Sequence, residues 1–508
     1  MKVNQLKAGA IMSYLLIGLG SLISIVYTPI MLRLLGQSEY GLYNLVSSVV
    51  SYLGLLSFGF GSAYIKYYSK YKSNNEVDNI AKLNGMFLTI FSVMGIISVL
   101  SGIILVLNTE NIFGSQLTLH ELSTAKVLMA IMVVNIAISF PAIVFNSYVT
   151  ANEKFIFQRT LQIIKVITSP LLILPFLIMG YASIGMATAT TVLNFAIEFA
   201  NAFYCYKKIN INFAFKKFDT ALMKELFIFS SFIFMNLVVN QINWNVDRFI
   251  IGRFKGTIAV ATYSLGAQLN TYYLSFSTAL SGVFIPRVNA MVSGKNDDNE
   301  LSLLFSKLGR LQFILLSLII TGLIFFGMGF IKLWAGDDYH DSYGIALMLI
   351  VPVTLPLLQN LGIEIQRAKN MHKFRSWVYL FIAVANVAIS IPLVKLYGGI
   401  GAAAGTAIAL VLGNVIVMNW YYHYKVGLNI KLFVVDIIKI TPALILPSIV
   451  GSLMFLYLNL SDAKVLVLGI LVYTLIFSIS MWYFGMNKYE KDLVINPYNK
   501  LRLKFKKK

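Results

Sequence analysis

The sequence predicts an all-α integral membrane protein with about 14 transmembrane helices, and its composition and its apolar runs carry that prediction. Of the 508 residues, 58% are hydrophobic and only 12% are charged. A soluble protein of this length could not bury so much apolar surface. Apolar runs of spanning length recur along the whole chain, separated by short polar connections. These connections leave no room for a soluble catalytic or nucleotide-binding domain.

The apolar runs are taken as helices in chain order, and their even number places both termini on one side of the membrane. A first set of six precedes a second set of six, and two further helices follow. The runs lie at roughly 8–32, 41–65, 83–107, 125–150, 161–180, 184–206, 225–251, 259–285, 302–331, 343–366, 376–394, 400–424, 440–459 and 463–485.

The distribution of Lys and Arg predicts the orientation of these helices. About four-fifths of the 41 Lys and Arg residues fall on the termini and on alternate loops, which is a strong positive-inside bias. We therefore expect both termini in the cytoplasm and the chain in a bacterial inner or plasma membrane. The net charge of +20 thus marks topology, and the basic tail Lys500–Lys508 is either solvated or in contact with anionic lipid headgroups. No basic folded surface with nucleic-acid readers is present, so we expect no nucleic-acid partner.

Cysteine and histidine usage argues against a metal centre. The single cysteine, Cys205, excludes an intramolecular disulfide and any thiolate cluster. The four histidines are scattered without metal-ligand spacing. We expect no metal and no cofactor, and either Na⁺ or H⁺ as the ion if transport is coupled.

The first twelve predicted helices form two sequence repeats. One match aligns the segment from Tyr181 with the segment from Tyr397, and Lys154-Phe155 and Lys373-Phe374 occupy equivalent loops. Six helices per copy give both copies the same orientation, which predicts two parallel-repeat six-helix lobes around a central cavity. The domains are an N-terminal lobe at 1–218, a C-terminal lobe at 219–430, and two helices with a basic cytoplasmic tail at 431–508. Another match, nearer the start of each copy, pairs Ile30, Arg33, Gly36, Tyr43 and Leu45 with Ile250, Arg253, Gly256, Tyr263 and Leu265.

The seventh predicted helix carries a polar stripe that hydrocarbon cannot accept. Asn236, Asn240, Asn243 and Asp247 fall at i, i+4, i+7 and i+11 and so share one helix face. An unsatisfied amide in hydrocarbon costs several kcal/mol. The stripe therefore faces either a water-filled cavity or polar side chains packed between helices.

A second stripe lies on the sixth predicted helix, where Asn194, Glu198 and Asn201 share a face. Glu198 is a candidate site for a coupling cation or proton, and so is Asp247. A satisfied packing contact is an equally good interpretation of Glu198.

Four loose motifs lie at Thr28–Gly36, Tyr40–Tyr43, Tyr181–Gly185 and Asp247–Arg253. With these motifs the chain resembles the polysaccharide and lipid-linked oligosaccharide flippases (Wzx-type) of the MOP superfamily, which are related to MATE transporters and lipid II flippases. The resemblance implies alternating access that moves an undecaprenyl-pyrophosphate oligosaccharide repeat unit from the cytoplasmic to the outer leaflet, for O-antigen, capsule or exopolysaccharide synthesis. It also implies contact with membrane lipids and with other polysaccharide-assembly proteins.

The substrate of such a flippase implies two kinds of binding residue. Cationic side chains suit pyrophosphate because charge-assisted hydrogen bonds are strong; amides and aromatic side chains suit sugar. Snorkelling to the interface is an alternative for Arg33 and Arg253, and Asp247 and Arg248 could instead pair with neighbours. The candidates are Arg33, Lys66, Arg248 and Arg253 for pyrophosphate, Asn236, Asn240, Asn243, Trp244, Gln268, Tyr272 and Tyr273 for sugar, and Asp247 beside them.

Two other functions compete with the flippase. A MATE-like cation-coupled multidrug exporter would favour acidic cavity residues and twelve helices. A polysaccharide polymerase or ligase would need a sizeable outer loop with a nucleophile or paired carboxylates, and the outer loops offer only His120 and His340. We therefore expect a transporter and not an enzyme.

Overall fold

The computed structural model describes residues 5–215, 220–282, 284–294 and 298–496. Within these ranges every regular element is a helix, so the predicted all-α membrane fold is confirmed. The predicted lobe boundary at 218/219 and the basic tail Lys500–Lys508 lie outside the described residues. The contacts within the chain define two compact units, Met1–Ser264 with Val387–Ala402, and Leu265–Asn386 with Ala403–Lys508. We call them unit 1 and unit 2.

Unit 1 is built around long helices that pack through small residues. Gly102 and Gly41 have no room for a side chain. A Cβ at Gly102 would overlap the Val133 side chain, and a Cβ at Gly41 would overlap the Thr257 carbonyl. Aromatic rings of α3, α4 and α6 form its largest described core, which includes Phe60, Phe87 and Phe140. The helices are α1 (Gln5–Leu35), α2 (Gln37–Val50), α3 (Phe60–Ser73), α4 (Val77–Leu107), α5 (Thr109–Phe113), α6 (Leu119–Ala151), α7 (Phe155–Ile178), α8 (Ala182–Lys208) and α9 (Thr220–Gly282) as far as Ser264.

The second predicted crossing, at 41–65, is interrupted, which corrects the expectation of a continuous helix. A short 3₁₀ segment, Ser51–Ser57, follows α2, and Phe58 and Gly59 then take left-handed φ values of 49° and 71° before α3 begins. Two features require a glycine at position 59. Its left-handed φ disfavours any side chain, and a Cβ would overlap Ile233 on α9. Phe58 stacks on Phe234 with ring centres 4.4 Å apart. Apolar composition alone does not reveal such a break.

Residues that the sequence repeat aligns share unusual backbone conformations. Gly36 between α1 and α2 has φ 74°, and its repeat equivalent Gly256 has φ 79°. Gly256 divides the 63-residue α9 into two helical parts, 220–255 and 257–282. Ala182 and its equivalent Gly398 have φ values of 43° and 61°. The same kind of sharp turn therefore connects consecutive helices in both copies.

Unit 2 packs its helices around two apolar clusters, one including Phe305 and Ile382 and the other including Phe326 and Phe477. Arg310 on α11 is buried and binds Glu490 through two bonds of 2.6 and 3.0 Å, which ties the segment after α18 to α11. The unit contains the rest of α9, α10 (Ile285–Ser293), α11 (Asp298–Ala335), α12 (Ser342–Leu358), α13 (Asn360–Ala368), most of α14 (His372–Leu410), π-helical turns at Val411–Val417 and Tyr422–Val426, α15 (Met418–Tyr421), α16 (Ile430–Ile438), α17 (Ile445–Tyr457) and α18 (Ala463–Ser480).

Eleven segments of the described chain are long and apolar enough to cross a membrane. Two of them, Leu222–Gly282 and Lys373–Val426, contain the turns at Gly256 and Gly398. At 1.5 Å per residue a helix of such length would far exceed a bilayer, so each holds two crossings. The protein is thus a multi-pass membrane protein. The count of 14 and the lobe boundaries remain predictions.

Candidate functional site

The polar stripe of α9 changes its environment along the helix. Asn236 and Asn240 are exposed, Asn243 is half-buried, and Asp247 is buried, with only 1% of its surface accessible. Trp244, beside the stripe, is 44% exposed. The predicted common face is therefore present, and its first two amides are open to solvent or ligand in unit 1.

The acidic end of the stripe is held by hydrogen bonds to nearby side chains of α9. Asp247 Oδ2 accepts a 2.7 Å bond from the Tyr263 hydroxyl, across the turn at Gly256. Arg248 Nη1 donates to Asn245 Oδ1 at 3.1 Å. The Arg248 Nε is buried without a hydrogen-bond partner among the residues that the structure describes. A half-buried guanidinium with unused donor capacity is suited to an anionic ligand.

The other three predicted cations have different surroundings. Arg253 is exposed and donates to the carbonyls of Asn111 and Ile112 at 2.7 and 2.6 Å, which ties α9 to the end of α5. Lys66 lies with its Nζ 4.1 Å from the Phe229 ring centre, a cation–π contact. Arg33 is exposed in the last turn of α1. Of these three, Arg253 has the clearest structural role.

Three predicted sugar residues belong to unit 2. Gln268 donates to the Tyr272 hydroxyl at 2.6 Å, one turn further along α9. Tyr273 is 1% exposed in the core of unit 2, and its hydroxyl bonds Thr354 at 2.8 Å. The side chains of Gln268 and Tyr272 are half-buried, whereas Tyr273 is a core residue in this conformation. A binding role for these residues stays a prediction.

Unit 1 also contains a polar cavity between α2, α6, α7 and α8, which we call the amide cavity. It consists of two adjoining spaces of about 170 and 160 Å³ that share Asn135 and Thr191 as lining residues. Each space can hold several water molecules. The lining residues are Tyr43, Ser47, Val50, Ser51, Met132, Asn135, Ile136, Ile138, Ser139, Lys165, Ala187, Thr190, Thr191, Asn194, Phe195 and Glu198.

Side-chain hydrogen bonds between α6 and α8 build one wall of the amide cavity. Asn135 donates to Thr191 at 3.0 Å and accepts from Asn194 at 3.2 Å. The two partners are on α8, so the bonds define which faces of the two helices meet.

The second group of bonds lies three turns further along α6. Asn146 donates to Glu198 Oε2 at 2.8 Å and accepts from Asn201 at 2.8 Å. The predicted stripe on α8 thus faces polar side chains of a neighbouring helix, and Glu198 takes part in a packing contact while it also lines the cavity.

Lys165 is a charged residue inside a membrane-spanning segment. It lies within α7, a candidate membrane span that begins at Phe155. It lines the cavity together with Glu198, and its side chain is exposed. Ionisable residues within membrane spans are costly and commonly mark a functional pathway.

A side-chain hydrogen bond joins the amide cavity to the α9 region. The Gln241 side-chain amide, next to the α9 stripe, donates to the Ser51 hydroxyl. Ser51 begins the 3₁₀ interruption and lines the cavity. Interrupted helices beside polar cavities are a feature of membrane transporters. Together the α9 stripe and the amide cavity form the candidate functional site of unit 1.

Sequence reasoning missed the cavity's partners on α2, α6 and α7. Asn135 and Asn146 are eleven residues apart, which is three helical turns, so one face of α6 could have been recognised. The predicted helix at 161–180 contains Lys165, but no local pattern shows that its side chain lines a cavity with Glu198.

Comparison with known proteins places the chain among polysaccharide-assembly proteins. The sequence profile of a family described as "Polysaccharide biosynthesis protein" matches residues 6–292. A Shigella flexneri protein named "Putative O-antigen transporter" is 25% identical over 418 residues, which cover 79% of this chain and 94% of that protein.

Two solved structures share the fold. The lipid II flippase MurJ in an inward closed conformation superposes with a TM-score of 0.69 and 19% identity, covering 96% of this chain and 99% of MurJ. An inward-facing multidrug resistance MATE family transporter of the MOP superfamily gives a TM-score of 0.65 at 11% identity, covering 81% of this chain and 94% of the transporter. The fold that the resemblance implies, shared with lipid II flippases and MATE transporters, is therefore confirmed.

Proposed function

We propose, since the chain belongs to the polysaccharide biosynthesis protein family, that it moves an undecaprenyl-pyrophosphate-linked oligosaccharide from the cytoplasmic to the outer leaflet by alternating access. The observation that carries this proposal is the amide cavity within membrane-spanning helices of unit 1, lined by hydroxyls, amides, Lys165 and Glu198. Transport, and not catalysis, is the function that such a lining suits.

The physical task explains why this lining matters. Sugar hydroxyls cannot cross hydrocarbon without hydrogen-bond partners, because each unpaired group costs several kcal/mol. The exposed amides Asn236 and Asn240 and the cavity's side chains offer such partners. Arg248, with its spare donor, is our candidate for the pyrophosphate. The polyprenyl tail can remain in the lipid while the headgroup moves.

The cellular setting follows from the same proposal. The protein lies in the bacterial cytoplasmic membrane with both termini inside the cell, which the charge bias of its loops supports. Its partners are the lipid-linked oligosaccharide, the surrounding lipids and the membrane proteins that extend or export the glycan. The name of the Shigella relative, an O-antigen transporter, supports a glycan substrate.

Deletion of the chain from its host, followed by mass spectrometry of lipid-linked intermediates, tests the proposal. We expect a complete repeat unit to accumulate on the cytoplasmic leaflet, and its mass identifies the glycan. Complementation with the wild-type chain is the control. Normal surface polysaccharide without accumulation of any intermediate would contradict the proposal.

A second candidate function is cation-coupled drug export. Glu198 in the amide cavity favours it, because an acidic residue can attract a cationic compound, and the MATE transporter shares the fold. Efflux of a cationic dye from cells that overproduce the chain distinguishes the two functions. Dye export that Glu198→Gln abolishes would favour the exporter.

A further inference from the structure

We infer that the amide cavity is a subsite for one uncharged sugar ring of the transported oligosaccharide, and that the pyrophosphate binds elsewhere. This inference rests on the proposed function. It assigns one part of the substrate to particular residues of α6, α7 and α8, which neither the family match nor the fold identifies.

The size of the cavity sets the first limit. Its two spaces of about 170 and 160 Å³ adjoin at Asn135 and Thr191. Together they reach the lower end of the range typical of small-molecule pockets, ~300–1,000 Å³. One sugar ring fits a site of this size, and a whole oligosaccharide does not.

The chemistry of the lining matches a sugar ring. Asn135, Asn194 and Thr191 present both donors and acceptors along one wall, as hydroxyl groups require. Phe195 and Ile138 line the same space and are 54% and 36% exposed. Apolar side chains with a few placed polar groups are the usual composition of a small-molecule site.

The charges of the cavity disfavour a pyrophosphate. Lys165 and Glu198 line the same space, so the attraction of the ammonium for an anion is opposed by the carboxylate. Glu198 accepts its recorded hydrogen bond through Oε2, from Asn146. A sugar hydroxyl can donate to a carboxylate and accept from an ammonium, and so satisfies both groups without a net charge.

Transport and binding of two lipids by the purified full-length chain test the inference. The probes are a fluorescent polyprenyl pyrophosphate and the same lipid carrying a single N-acetylglucosamine. Flipping is measured in proteoliposomes by access of a membrane-impermeant quencher, and binding is measured in parallel by native mass spectrometry. We expect the wild-type chain to prefer the sugar-bearing lipid.

Substitutions that keep shape and remove hydrogen bonds locate the subsite. We expect Thr191→Val and Asn135→Leu each to weaken binding of the sugar-bearing lipid about tenfold, because a sugar hydroxyl loses its hydrogen-bond partner. Binding of the sugar-free lipid should not change. Thr191→Ser keeps the hydroxyl and should restore binding. Thr188→Val is the matched control. Thr188 is on α8, is not among the lining residues, and within the described part of the chain bonds only the Ile184 carbonyl of its own helix.

The outcomes separate this inference from the proposed function. Equal weakening for both lipids, or no change with either substitution, would overturn the sugar subsite while leaving the flippase intact. Sugar-dependent binding by a wild-type chain that flips neither lipid would overturn the proposed function and keep the subsite. If Asn135→Leu does not fold, Thr191→Val and its serine counterpart decide the result.

Discussion

The α9 stripe and the amide cavity both place polar side chains inside membrane-spanning helices, but those side chains find their partners differently. On α9, Arg248 bonds the nearby Asn245, and Asp247 bonds Tyr263 just beyond the next turn. At the cavity, Asn135 and its neighbour along α6, Asn146, bond residues of a different helix, α8. Cross-helix bonds hold two helices together, whereas local bonds leave a helix face available. We therefore expect substitutions in the stripe to affect ligand binding and substitutions in the cavity wall to affect stability as well.

The largest expected effect is on transport, from Arg248→Ala. The Arg248 Nε is buried without a partner among the described residues. The alanine variant should therefore lose the interaction of this guanidinium with the pyrophosphate. We expect at least about a 100-fold loss of flipping in proteoliposomes, as for removal of one member of a desolvated charge pair, with normal membrane insertion.

Arg253→Ala is the contrasting variant for this prediction. Because Arg253 bonds two carbonyls near the end of α5, its loss should lower thermal stability and leave flipping by the folded protein within a few-fold of wild type. Equal transport losses for the two arginines would remove the distinction between a binding and a structural cation. Undiminished transport by Arg248→Ala would exclude that residue from the site.

An intermediate effect is expected from Glu198→Leu in the cavity wall. The substitution removes the acceptor of Asn146, and an orphaned donor in a helix interface costs about 1–3 kcal/mol. Thermal unfolding in detergent measures this loss of stability, with the fraction of protein that remains monodisperse as the readout. Glu198→Gln keeps an acceptor oxygen, so it should unfold close to wild type. A large loss of transport by Glu198→Gln at normal stability would instead support proton or cation coupling through this carboxyl.

The smallest expected effect is from Asn240→Ala in the exposed half of the stripe. Asn240 is accessible, so its truncation should change stability by less than about 0.5 kcal/mol. If the stripe binds sugar, affinity for the sugar-bearing lipid should still fall a few-fold in the binding assay. Asn236→Ala is expected to behave in the same way. A loss of stability similar to that of Glu198→Leu would show that the stripe packs against protein.

The sequence by itself determined the membrane class, the helical fold and the faces on which polar residues lie. Spanning length and helical periodicity are local properties, so the stripes at Asn236–Asp247 and Asn194–Asn201 could be read without coordinates. The repeat also paired Gly36 with Gly256, and the structure then showed that both glycines form turns.

Only the tertiary structure decided which faces meet. That Asn135 and Asn146 bond the α8 stripe, that Lys165 and Glu198 line one cavity, and that a break at Phe58–Gly59 precedes α3 all depend on neighbouring helices. In a membrane, apolar surfaces pack equally well against lipid or protein, so the pairing of helices rests on small residues and interhelical hydrogen bonds. These contacts join residues far apart in the chain, which local patterns cannot connect.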